Sequence, residues 1–164
     1  VRTVREEAER VGRDPAAVRI WSCFAVVGDW LPDDVRLKKT VGRMATYLQG
    51  YGDLMVSTNH WDPAVLERFR RDPFVAGFRG AIDNTATTSE LEHVATLIPS
   101  EWLAAAGLGT PAECADAVLR QMDLGADSVI IHGATPAELA PMVHAYRAIR
   151  PAGRFDHLAA NPGA

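Results

Sequence analysis

The chain has 164 residues, 48% of them hydrophobic and 23% charged, with 17 Lys and Arg against 21 Asp and Glu for a net charge of −4. That composition argues against disorder and against a nucleic-acid partner, whose phosphates call for a basic surface, and no apolar run reaches the ~20 residues of a membrane span. Two distant cysteines, Cys23 and Cys114, exclude a disulfide scaffold or a cysteine zinc site and suit a cytoplasmic protein.

In chain order, the start Val1-Arg2-Thr3-Val4-Arg5-Glu6-Glu7 is charged and amphipathic, unlike a secretory leader. It carries no initiator Met and opens inside a helix predicted over Thr3 to Val11, which Gly12 closes. Val18 to Val27 is apolar on both parities, the pattern of a strand buried on both faces, and Gly28-Asp29 ends it. Asp33 to Gln49 reads as a long helix broken by Gly50-Tyr51-Gly52-Asp53, and shorter helices are expected at Pro63 to Arg70, Pro73 to Phe78 and Thr88 to Ile98. Further on, Pro111 to Leu124 is a helix stopped by Gly125, Ser128 to His132 a strand, and Pro136 to Arg150 a helix bent mildly at Pro141. The tail, 151–164, is rich in Gly, Pro and Ala and is expected to be irregular.

Helix starts are written plainly. Asp14-Pro15, Asp62-Pro63, Asp72-Pro73, Thr110-Pro111 and Thr135-Pro136 each place an accepting oxygen before a proline that lacks an amide to satisfy. Glu113 and Glu138 complete capping boxes at the two threonines. Helices alternating with buried strands predict an α/β protein with parallel strands. Two strands are too few to make a covered sheet.

Three passages resemble a known family. Gly12-Arg-Asp-Pro-Ala-Ala-Val-Arg-Ile20 is similar to the approach to a late barrel strand in luciferase-like oxidoreductases. Gly109-Thr-Pro-Ala-Glu113 with Leu124-Gly-Ala-Asp-Ser-Val-Ile131 resembles their last helix–strand passage. Lys39 to Asp53, with Asn59-His-Trp-Asp-Pro63, looks like the actinobacterial branch assigned to the deazaflavin coenzyme F420. The resemblance implies the C-terminal portion of one (β/α)8 barrel domain over 1–164, with a helical insertion at 33–108, the last helix–strand–helix unit at 109–150 and an irregular tail. Such barrels run to ~250 residues and carry their sites at the carboxyl ends of the strands. By that resemblance the N-terminal half of the barrel is missing and is the first expected partner. The implied activity is hydride transfer between coenzyme F420 and a small organic substrate, with an FMN-dependent luciferase-like monooxygenase as the near alternative.

His132 is the candidate catalytic residue. It ends a strand on the face it shares with Ser128 and Ile130, where an imidazole can contact a flavin-like ring or carry a proton, or simply cap the strand. Gly133 beside it, Asp29 at the mouth of the first strand, and Tyr47, Gln49 and Tyr51 in the insertion are the candidate cofactor-binding residues. Lys38, Lys39 and Arg43 lie nearby, either as a solvated face or opposite an anionic cofactor tail. The helix start at Thr110 is a phosphate site by its amides and dipole, but Glu113 closes it. Glu90-Leu-Glu-His93 has the spacing of a di-iron ligand pair without the second copy such a site requires, so no metal is expected. Trp21, Trp30, Trp61 and Trp102 read as packing anchors, and Cys114 as a packed thiol. The reading from another class is a non-catalytic helical module for binding or oligomerisation, with a homodimer as one form. It requires a self-contained core and a first strand paired within the chain or across a dimer.

Overall fold

The computed structural model describes residues 1–103 and 106–158. In chain order it contains α1 (Arg2–Arg10), a 3-10 turn (Pro15–Ala17), β1 (Trp21–Gly28), α2 (Asp33–Leu37), a π-helical turn (Lys38–Gly42) and α3 (Arg43–Asn59). There follow α4 (Pro63–Arg71), α5 (Pro73–Gly77), α6 (Ile82–Thr85), α7 (Thr88–Ala95), a 3-10 turn (Ser100–Leu103), β2 (Gly107–Gly109), α8 (Pro111–Asp123), β3 (Ser128–His132) and α9 (Pro136–Ile149). The chain divides into two compact units, Val1–Gly28 with Ala106–Ala164, and Asp29–Ala105. The expected tail is turn structure over 151–158, and its remainder, 159–164, lies outside the described residues.

The first unit is α/β, built on a parallel sheet in the order β2-β1-β3. The third strand, β2, leaves no signal in the sequence, since three residues with two glycines carry no alternating pattern. It pairs only with the end of β1, Val26 to Gly107 through Gly28 to Gly109. The longer pairing runs Trp21 to Ser128 through Ala25 to His132.

Helix α8 covers one face of this sheet. Ser22 donates to Gln121 across 2.9 Å, and Phe24 and Val26 are buried with Ala115, Ala117 and Val118. Gly125 follows α8, where its amide and that of Ala126 donate to Met122 and Gln121, the pairing of a Schellman turn. The opposite face corrects the expectation of a strand buried on both sides. Val27 is buried, but Trp21 is 41% and Ile130 48% exposed, Leu108 is exposed, and Cys23 is open to solvent. Among the described residues α8 packs on the Ser22–Phe24–Val26 face, while the other face is exposed at Trp21, Cys23 and Ile130 and buried at Val27.

The second unit is helical, with a core of its own that includes Ala45, Leu48, Phe69, Ile82 and Val94, all fully buried. Trp61 stacks on Trp102 with ring centroids 4.3 Å apart, so these two are packing anchors. The break expected at Gly50-Tyr51-Gly52-Asp53 takes the form of a kink between two helical stretches, not of a helix end. Tyr51 leaves helical dihedrals (φ −131, ψ 16) at that kink, and the helix resumes and runs to Asn59. The reason is close approach: a Cβ on Gly52 would stand 2.7 Å from Leu66 Cδ1, so the glycine lets α4 pack tightly. That packing outweighs a helical glycine's cost of about 1 kcal/mol. The helix ends instead at His60, in the left-handed conformation with φ 55.

Candidate functional site

Parallel pairing of β1 and β3 brings their carboxyl ends to one end of the sheet. There His132 stands opposite Ala25. Alternation along β3 puts it on the same face as Ile130, the face that α8 leaves open. The imidazole is half-buried, and Gly133, with φ 74, turns the chain toward α9.

The two helices that start at this end are both closed. Thr110 N donates to Glu113 Oε2 at 2.8 Å and Thr135 N to Glu138 Oε2 at 2.6 Å, while each threonine hydroxyl accepts from the glutamate amide. The Thr110 amide, and then its hydroxyl, hold the Glu113 carboxyl below its ordinary value. A carboxylate therefore occupies the place a phosphate would take at either helix, as the sequence pattern at Thr110 implies. Cys114 is buried, with Sγ 3.4 Å from the Gly107 carbonyl oxygen.

The remaining candidates belong to the helical unit. Asp29 directly follows β1 and is exposed. Tyr47 and Tyr51 lie one turn apart on α3, on the side away from Leu48 and Gly52, and are 38% and 64% exposed. Gln49 is half-buried. Within each unit, then, His132 and Gly133 are chain neighbours, and Tyr47 and Tyr51 lie one turn apart, while Gln49, two residues from each, points to another side of α3. Asp53 is structural, since Arg70 grips it through two bonds of 2.9 and 2.7 Å, and this contact lowers its pKa.

The Glu-x-x-His residues of α7 serve packing. Glu90 closes a capping box with Thr87, and Thr87-Thr-Ser-Glu90 carries that pattern in the sequence although no proline follows the threonine. His93 Nε2 lies 2.9 Å from Asp72 Oδ2, and Asp72 Oδ1 caps α5 through the amides of Phe74 and Val75. Among the described residues no group of three or more His, Cys, Asp and Glu side chains is placed to hold a metal, and no helix is long and apolar enough to cross a membrane.

At the π turn Lys38, Lys39 and Arg43, which the sequence already groups, meet Asp83, which it does not. Val35, Lys38, Lys39, Arg43 and Asp83 line a cavity of about 250 Å³. Its members come from segments forty residues apart, and the π turn that gathers them has no pattern in hydrophobicity.

Tested against a flavin or deazaflavin, these residues fit in part. An open apolar sheet face with an imidazole at its carboxyl end suits a ring system, but the capped helices there offer no amide cradle for the phosphate. Comparison of the chain with protein-family models, with curated proteins and with solved structures finds no match in any of the three.

Proposed function

We propose that this chain forms part of a luciferase-like oxidoreductase that passes a hydride between coenzyme F420 and a small organic substrate. The observation that supports it is the parallel pairing of β1 and β3, with His132 at their carboxyl end and the face opposite α8 exposed at Trp21, Cys23 and Ile130. A sheet wound with helices on a single face is the arrangement of a (β/α)8 barrel, whose interior is filled by side chains from all of its strands and whose chemistry lies at the carboxyl end. Trp21, Cys23 and Ile130 would face that interior. His132 would be the polar contact to the ring system, and Asp29, Tyr47, Gln49, Tyr51 and Gly133 the candidate lining. Hydride chemistry would belong to the coenzyme, and the protein would orient it and exclude water. A phosphate cradle has to come from other strands.

The test is calorimetric titration of reduced deazaflavin into the gene product that contains this chain, and into the 164-residue chain. Binding by the former that His132→Ala weakens supports the reading. Tight binding of FMN instead moves the assignment to the monooxygenase alternative. No binding of either by the gene product overturns it.

One observation favours the second reading, a helical binding or oligomerisation module. The helical unit has a core of its own, and β1 finds partners on both sides within the chain. If the isolated chain is a monodisperse dimer by light scattering and no flavin binds, that reading prevails.

A further inference from the structure

We propose that the cavity at the amino end of β3 binds a planar aromatic ring that carries a carboxylate. Its wall belongs to the sheet unit alone and lies at the end of β3 opposite His132, so the inference does not depend on the oxidoreductase reading.

Shape is the first observation. The first residues of β1 and β3, the end of α9 and the turn over 151–158 border a cavity of about 430 Å³, a size that suits a small organic ligand. Trp21, Tyr146 and Phe155 bring three aromatic rings to it, and Met122 adds a thioether. Trp21 is no packing anchor like Trp61 and Trp102, since it stays 41% exposed. Flat, polarizable surface of this kind receives a flat apolar body.

Charge is the second observation. A group of aromatic rings can cage a cation, but here the protein supplies the cations itself. Arg19 Cζ stands 5.2 Å from the centre of the Trp21 ring, and Arg150 Cζ and Arg154 Cζ stand 5.3 and 5.7 Å from that of Phe155. A cationic ligand would meet guanidinium groups where it needs a bare ring face. Asp127, the carboxylate of the wall, is held by the Ile20 amide and by Arg5, and Arg154 pairs with Asp123 at 2.7 Å. Arg150 has no carboxylate partner among the described residues.

Hydroxyl groups complete the polar side. Tyr146 donates to Met122 Sδ at 3.7 Å, and a thioether is a weak acceptor, so the phenol has a better partner to gain. Ser128 Oγ makes no hydrogen bond among the described residues. Tyr146 and Arg150 stand four residues apart at the end of α9, joined by a backbone bond of 2.8 Å, which fixes the spacing of their side chains. A carboxylate takes a charge-assisted bond from the guanidinium and neutral ones from the hydroxyls, while the rings hold the body it is attached to.

The test titrates the full chain by calorimetry at low ionic strength with cinnamate, with its neutral analogue cinnamyl alcohol and with the cation cinnamylamine. Cinnamate should bind saturably and about fivefold more tightly than the alcohol, the size of one partly solvated charge contact, and the amine should bind most weakly. Arg150→Gln should bring cinnamate down to the affinity of the alcohol. Tyr146→Phe should weaken cinnamate about threefold, the loss of one neutral hydrogen bond, with the circular dichroism spectrum unchanged in both variants. Arg120→Gln on α8 removes the same charge outside the wall and should leave binding intact. Equal loss in Arg120→Gln, or no saturation by about 10 mM cinnamate, overturns the site. The alcohol or the amine binding as tightly as the acid overturns the carboxylate assignment.

Discussion

Asp127 and Ile20 grip each other in both directions across the sheet: the Ile20 amide donates to Asp127 Oδ2 at 2.8 Å, and the Asp127 amide donates to the Ile20 carbonyl at 2.9 Å. The pair sits just before β1 and β3, so it fixes their register at the amino end. Arg5 of α1 reaches the same carboxylate at 3.3 Å, tying the first helix to the strand ends. The aspartate of Leu124-Gly-Ala-Asp127 is therefore a structural clamp.

Asp127→Ala should accordingly destabilise the sheet unit by about 2 kcal/mol, the loss of a charge-assisted bond plus an orphaned amide. Urea unfolding followed by tryptophan fluorescence measures it, Trp21 being one residue beyond Ile20. A change under about 0.5 kcal/mol, the size of an ordinary surface substitution, would show that the strand pairing holds its register unaided.

Gly52→Ala should cost about 2 kcal/mol through overpacking against Leu66, since Leu66 Cδ1 stands 2.7 Å from the added carbon. The informative comparison is the double variant with Leu66→Ala. There the methyl should be tolerated, so the two costs are less than additive. Strict additivity would remove the close-approach account of why α3 runs through two glycines.

Acid should loosen the helical unit through Asp72. Burial raises its pKa, but the bond to His93 and those from the Val75 and Phe74 amides outweigh this and hold it below the ordinary aspartate value of 3.8. A carboxyl with a lowered pKa in the folded state contributes stability that is complete above about 3.8. That stability is lost as pH falls through the depressed folded value. Asp72→Asn should be less stable than the parent at pH 6 and should lose less stability between pH 4 and pH 2. Parallel stability curves for the two proteins in that range would refute the assignment.

Thiol reactivity reports on the open face of the sheet. Cys23 is exposed and Cys114 buried, so a disulfide reagent such as Ellman's should label one thiol of the native chain quickly and the second only on unfolding. Cys23→Ser should remove the fast phase. In a gene product whose further strands close a barrel over this face, the fast phase should vanish. Its persistence there would count against the barrel.

Local chemistry was legible in the sequence. The caps at Asp14, Asp62, Asp72, Thr110 and Thr135 stand where an oxygen precedes proline, because a cap requires only residues within one helical turn. Alternation put Ser128, Ile130 and His132 on one face of a strand, and Gly125 after a helix, for the same reason. Tertiary structure decided the rest. Whether Gly52 breaks a helix or admits one depends on Leu66, fourteen residues on. Which face of β1 is covered depends on α8, a hundred residues away, and apolar Val18 to Val27 reads the same whether one face or both are buried. The π turn at Lys38–Gly42 leaves no mark in the sequence, since residue types do not record a hydrogen bond shifted by one position. Sequence determines what each segment can form by itself, and only packing between distant segments selects which side chains share a cavity.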